Sequence, residues 1–105
     1  MIIYQNIDVT AAAGAEAFVN VFTSEAKQKR KLLAITCNNV TALIDLLVYD
    51  ERELIADIPA DCQGLIEKWI EFDRPIEIGH QLKVGHRNGT GGGVTVAFLI
   101  ESEVG

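Results

Sequence analysis

The stretch Val94-Thr95-Val96-Ala97-Phe98-Leu99-Ile100-Glu101 carries the clearest structural signal in the chain. Apolar side chains recur at every second position and fall on one face: Val94, Val96, Phe98 and Ile100. Period-two alternation enriched in β-branched residues predicts a β-strand. The stretch contains no proline, which indicates a strand in the middle of a sheet rather than at its edge.

Seven more segments upstream have strand-like patterns, and turn residues separate them. The eight predicted strands lie near residues 2–4, 17–22, 32–37, 42–49, 54–58, 66–72, 82–86 and 94–101. Short strands at this spacing are typical of a sandwich or barrel. We therefore predict an all-β chain, an antiparallel β-sandwich of jelly-roll type, with residues 1–105 as one domain and room for one short helical turn near 61–68.

The segment 40–58 fits two templates. Its apolar residues match helical spacing, but they also match two strands joined by a polar turn at Asp50-Glu51-Arg52. We favour the two strands because the flanking segments read as strands. Residues 42–48 are then apolar on both faces, with Leu43 and Leu47 opposite the core-facing side chains. A domain this small cannot cover both faces, so we expect Leu43 and Leu47 to mediate self-association.

Composition limits the classes of function. The 105 residues are 49% hydrophobic and 23% charged, with a formal net charge of -6, which excludes intrinsic disorder and argues against a nucleic-acid partner. No apolar run approaches the length of a membrane span, and the first residues lack the pattern of a signal peptide. We expect no membrane partner and synthesis in a cytoplasm.

Residues that commonly carry chemistry are few. The two histidines, His80 and His86, and the two cysteines, Cys37 and Cys62, do not form a recognisable metal or catalytic pattern, and both thiols are expected to be buried. The run from Gly89 to Gly93 leads into a strand rather than a helix, so it favours a hairpin loop over a phosphate cradle. We expect no catalytic, metal or cofactor-binding residues, and hence no enzyme.

A basic run interrupts this acidic chain. Four of the nine positive charges fall within five residues, at Lys27, Lys29, Arg30 and Lys31. One reading is a solvated turn, and the other is an element that docks on an acidic protein surface or contacts nucleic acid. We name these four residues as candidate docking residues.

The order of features resembles small β-sandwich, jelly-roll-like virion proteins of tailed phages and related viruses. The matching features include a Thr/Ala/Gly-rich opening at 10–14, the basic turn ending at Lys31, and Leu33-Ala34-Ile35-Thr36-Cys37-Asn38. They continue with Leu46-Leu47-Val48-Tyr49, the segment 76–84, and the closing Val94-Thr95-Val96 strand that ends in Glu101. The resemblance implies a decoration or capsid-associated protein that binds and assembles.

The expected function follows from this resemblance. It implies a non-enzymatic virion protein that decorates or stabilises a capsid, as a homo-oligomer (a trimer favoured), with a major capsid or other virion protein as partner. Two alternatives stay open: a carbohydrate- or receptor-binding module of a virion fibre, and a non-viral interaction module. Sugar binding would require exposed aromatic residues, and the chain has only seven aromatic residues in all.

Overall fold

A computed structural model describes residues 1–38, 43–59 and 70–105. Its eight strands are β1 (Ile2–Ala11), β2 (Glu16–Thr23), β3 (Arg30–Asn38), β4 (Ile44–Asp50), β5 (Glu53–Pro59), β6 (Ile70–Ile76), β7 (Gln81–Asn88) and β8 (Val94–Val104). Each overlaps one predicted strand, so the all-β prediction is confirmed. The suggested helical turn near 61–68, Cys62 and residues 40–42 lie outside the described residues.

The strands form two four-stranded antiparallel sheets. The first sheet has the order β1-β8-β3-β6 and the second has the order β2-β7-β4-β5. Consecutive strands alternate between the sheets except for β4 and β5, which pair as a hairpin. This is the strand order of a jelly roll. The strand β8 pairs with both β1 and β3. The prediction that residues 94–101 form a strand in the middle of a sheet is therefore confirmed.

The core lies between the two sheets and is built from the alternating residues. In β8 the inward positions Val96, Phe98 and Ile100 are buried, and the outward positions are more accessible, as the alternation predicts. The second sheet supplies facing apolar side chains: Phe22, Ile44, Leu46, Val48, Leu82 and Val84. At about 0.8 kcal/mol for each buried methylene group, this shared core is the main source of stability.

The contested middle segment is two strands. β4 and β5 pair from Asp45 to Pro59, and Glu51 takes a positive φ of 55° in the turn between them. An isolated helix here would bury only one stripe of side chains. The strand places Leu46 and Val48 in the core, and Leu47 is also buried on the opposite side.

The glycine-rich connection is not a hairpin, contrary to the sequence-based expectation. It joins β7 in the second sheet to β8 in the first, and these two strands do not pair. Asn88 organises the crossing, since its side-chain amide donates to the carbonyls of Ala11 and Gly92 at 3.0 and 2.7 Å. Its Oδ1 accepts hydrogen bonds from the backbone and hydroxyl of Thr90. The glycine-rich connection therefore crosses from the second sheet to the first.

Candidate functional site

The outer face of the second sheet brings together side chains that are distant in sequence. Antiparallel register sets Phe18 of β2 beside Gly85 of β7, and Gly85 beside Leu47 of β4. The next outward row contains Asn20, Lys83 and Tyr49 from the same three strands. Both rows follow from the two-residue strand period, which keeps alternate side chains on one face.

Gly85 allows an aromatic ring to lie on this face. A Cβ at position 85 would collide with the backbone oxygen of Ala17 and would come within 2.6 Å of Phe18 Cδ1. The ring of Phe18 packs edge-to-face against Tyr49, with a centroid distance of 5.0 Å and an interplanar angle of 85°. Phe18 keeps 39% of its surface exposed, so the pair forms an accessible aromatic platform.

A cavity of about 510 Å³ lies beside this aromatic platform. Its lining residues come from β2, the β4–β5 hairpin and β7: Phe18, Asn20, Tyr49, Glu51, Arg52 and Lys83. The volume lies within the range of small-molecule sites in proteins, and the combination of apolar surface with a few polar groups is typical of them.

The charges around the cavity differ in how fully they are paired. Glu51 accepts a hydrogen bond from the backbone N–H of Gln81 at 2.6 Å, and its own N–H donates to the carbonyl of Gln81 at 2.9 Å. Lys83 and Arg52 make no ion pair within the described ranges. Two cations with no acidic partner in the described part of the chain therefore border one cavity.

A neighbouring cation shows what full pairing looks like on the same face. Arg87 donates to Glu16 at 2.9 Å and to Asp45 at 2.8 Å, and these hydrogen bonds raise the pKa of its guanidinium. This group is thus held by intramolecular partners. The contrast marks Lys83 and Arg52 as the cations of this face that a ligand can reach.

The four candidate docking residues do not form one surface. Lys27 and Lys29 are exposed in the turn between β2 and β3, where Glu25 and Gln28 bond to each other through their backbones. Lys31 pairs with Asp73 at 2.5 Å on the outer face of the first sheet, and the contact raises the pKa of Lys31. Only the two lysines of the turn keep the solvated, unpaired character expected of the run.

The side chain of Arg30 instead points inward and contacts residues at one end of the core. Its guanidinium lies 4.1 Å from the centroid of the Phe22 ring and donates to Ser102 at 2.8 Å and to Gln5 at 3.2 Å. Burial lowers the pKa of this guanidinium. The inward direction of Arg30 corrects its assignment to an exposed docking turn, because strand alternation begins at this residue.

The two candidate self-association residues differ in how exposed they are. Leu43 is 68% exposed, whereas Leu47 is 0% exposed and is therefore covered within the single chain. The expectation of an exposed Leu47 is wrong, because Leu47 stands next to Gly85 and the adjacent Phe18 ring lies over that face. Of the pair, Leu43 alone remains available to a second copy, and self-association itself stays a prediction.

The histidines occupy structural positions. His80 donates from Nδ1 to Asp50 at 2.9 Å, and Arg74 donates to the other oxygen of Asp50 at 3.0 Å. Since Arg74 lies in the first sheet and Asp50 in the second, this cluster ties the two sheets together. His86 is fully buried, and its Nε2 lies 3.1 Å from the carbonyl of Val94. Burial lowers the pKa of His86.

Among the described residues, the remaining candidate for chemistry is Cys37. Cys37 is a buried free thiol, as expected, and burial raises its pKa to about 11, which makes it a poor nucleophile. In the part of the chain that the structure describes, no three histidine, cysteine or acidic side chains are grouped so as to hold a metal ion. The same part contains no helix that could span a membrane.

The cavity cannot be recognised from the sequence pattern. Phe18 was a strand residue and Tyr49 part of a family-like motif, but neither pattern shows that they meet. The informative signal is Gly85 at an otherwise apolar, alternating strand, since a glycine inside a strand often marks a close approach. No protein-family model, curated protein or solved structure matches the chain.

Proposed function

We propose that the protein is a non-enzymatic structural component of a virus particle, which decorates or stabilises a capsid. The observation that carries this proposal is the strand order β1-β8-β3-β6 and β2-β7-β4-β5. Viral capsid proteins use this jelly-roll architecture, as do lectins and cupins. The order of sequence features, which resembles small phage virion proteins, favours the first of these classes.

Docking on a shell protein would use the turn between β2 and β3. Lys27 and Lys29 are exposed there and have no ion pair within the described residues. Charges at the rim of an interface mainly accelerate association, and salt screens their effect. An acidic patch on a shell protein is the partner that this turn would recognise.

The direct test is quantitative mass spectrometry of purified virions. The proposal requires this chain in fixed stoichiometry with the major capsid protein after gradient purification. Absence from the particles would overturn the proposed role and would leave the non-viral interaction module as the better account.

The docking mechanism has a matched pair of variants. The double variant Lys27→Gln, Lys29→Gln should bind shell particles about threefold to tenfold more slowly at low salt. The control Arg52→Gln, Lys83→Gln removes the same two charges from another surface, and its association rate should not change. Equal rates for the two variants would remove the turn from the mechanism.

Self-association would use the surface around Leu43, and the resemblance favours a trimer. Leu43 has a positive φ of 70°, which asparagine tolerates, so Leu43→Asn removes the apolar side chain without adding strain. Light scattering should show the wild-type oligomer dissociating in this variant and persisting in Leu54→Asn. A wild-type protein that is monomeric at high concentration would leave only contacts made on the particle.

A second candidate function is glycan binding by a virion fibre module. The exposed Phe18–Tyr49 platform beside a cavity of about 510 Å³ favours it. This supplies the accessible aromatic surface that sugar recognition requires, although the chain contains few aromatic residues.

A further inference from the structure

We propose that the cavity beside Phe18 and Tyr49 binds a sugar that carries a carboxylate. This inference rests on the second candidate function and gives it a ligand class. It does not depend on capsid docking, because the docking lysines lie in the turn between β2 and β3 and do not line the cavity.

The aromatic geometry favours a ligand with one apolar face. Phe18 and Tyr49 meet at 85°, so they offer one ring face and one ring edge rather than two parallel faces. A pyranose presents C–H groups on one side and hydroxyls around its rim, and such a ring fits an open platform.

The polar lining favours a sugar over a simple anion. Lys83 and Arg52 can pair with a carboxylate, and neither is occupied by an acid within the described residues. Glu51 also borders the cavity, and its negative charge repels a doubly charged phosphate more strongly than a singly charged carboxylate, while its oxygens can accept hydrogen bonds from hydroxyl groups. Asn20 adds an amide that donates and accepts. A sugar with one carboxylate and several hydroxyl groups matches these two cations, the carboxylate of Glu51 and the amide of Asn20.

The charge pattern of the whole chain strengthens the assignment. Eight of the nine lysines and arginines lie among the described residues, and four of those eight are held by acids or by core side chains: Arg30, Lys31, Arg74 and Arg87. Two more are the lysines of the basic turn, and the last two border the cavity. On a chain with a net charge of -6, two unpaired cations beside an aromatic pair form a local exception suited to an anionic ligand.

The test is calorimetric titration of the full chain with methyl β-D-glucuronide and, as a matched neutral probe, methyl β-D-glucoside. The glucuronide should bind with a Kd of about 1 mM, as expected for a ligand of this size. The glucoside should bind about tenfold more weakly, since it lacks the group that pairs with the two cations.

Single variants separate the contribution of the cations to sugar binding from that of the aromatic rings. Lys83→Gln should weaken glucuronide binding about threefold to fivefold and leave the glucoside unchanged, and Phe18→Ala should weaken both. Lys31→Gln removes one positive charge from the other sheet and should change neither affinity. Circular dichroism of each variant verifies that it is folded, and Lys83→Gln tests the proposal even if Phe18→Ala does not fold.

Each unfavourable outcome has a distinct meaning. Equal binding of the two sugars would overturn the carboxylate inference and leave glycan binding standing. No heat from either sugar at 50-fold the expected Kd, or about 50 mM, would overturn both. Tighter binding of inorganic phosphate or adenosine monophosphate than of the glucuronide would reassign the cavity to those ligands.

Discussion

The outer faces of the two sheets are built from the same alternating strands but differ in their exposed aromatic and basic side chains. On the first sheet, four acids surround one paired lysine: Glu71, Asp73, Glu101 and Glu103 around Lys31. Its exposed aromatic residue, Tyr4, is hydrogen-bonded to Glu101, which raises the pKa of the tyrosine. The second sheet presents an accessible aromatic pair and two cations, Arg52 and Lys83, that make no ion pair among the described residues. Strand adjacency creates this difference, since alternation alone is common to both faces.

The largest effect should come from substitutions on the side of β8 that faces the core between the two sheets. Phe98 is 1% exposed, so Phe98→Asp places an unpaired charge in the core and should unfold the domain. The loss should exceed about 4 kcal/mol, a large part of the stability of a domain this size. Val96→Asp should act in the same way. Urea denaturation followed by circular dichroism measures the change.

Thr95→Asp is the control on the outward side of the same strand. Thr95 is exposed and shares a hydrogen bond of 2.6 Å with Thr10, so the substitution should cost about 1 kcal/mol or less. A folded and stable Phe98→Asp variant would show that the register of β8 is wrong.

A smaller effect should separate the two outer faces. Gly85→Ala should destabilise the protein by about 1–3 kcal/mol, because the new methyl group meets the backbone of Ala17 and the ring of Phe18. Gly91→Ala is the matched control, since nothing lies within 4 Å of its Cβ position, and its change should stay within about 0.5 kcal/mol. If thermal denaturation gave equal shifts for the two variants, the close packing on the second sheet would be disproved.

The smallest effect concerns His86, a buried histidine of β7. With Nε2–H donating to Val94, a proton on Nδ1 of buried His86 would find no acceptor within the described residues. Burial lowers the folded pKa of His86 below the unfolded value near 6.5, so the unfolded state binds the proton more readily. Stability should fall by up to about 1 kcal/mol between pH 7.5 and 5.5.

Urea denaturation at the two pH values checks this pH dependence. His86→Gln should remove most of it, whereas His80→Gln should retain it because His86 is still present. If the slope were unchanged in His86→Gln, the lowered pKa of His86 would not be its source.

Much of the fold could be predicted from sequence because its information is local. The alternation of β8 and the turn residues near 50–52 and 79–80 identify strands and turns without knowledge of partners. The prediction of a hairpin at the glycine-rich connection is wrong because a tight turn and a crossover both use glycine. Which sheet receives the next strand depends on packing and is not encoded in the loop.

The candidate site was less predictable because it depends on neighbours. The basic run is one feature in sequence, but Arg30 turns inward where β3 begins and Lys31 turns to the other face. Phe18 and Lys83 belong to one site only because β2 pairs with β7. Charge counts reveal an unusual segment, and only register reveals which charges meet.

The assignment of binding to the second sheet is tested most directly by titrating the ¹⁵N-labelled protein with methyl β-D-glucuronide and following amide chemical shifts. We expect the shifts to concentrate at Phe18, Asn20, Tyr49 and Lys83, with Thr36 and Leu99 on the first sheet unaffected. Shifts centred on the first sheet, or no shifts at a saturating concentration, would contradict it.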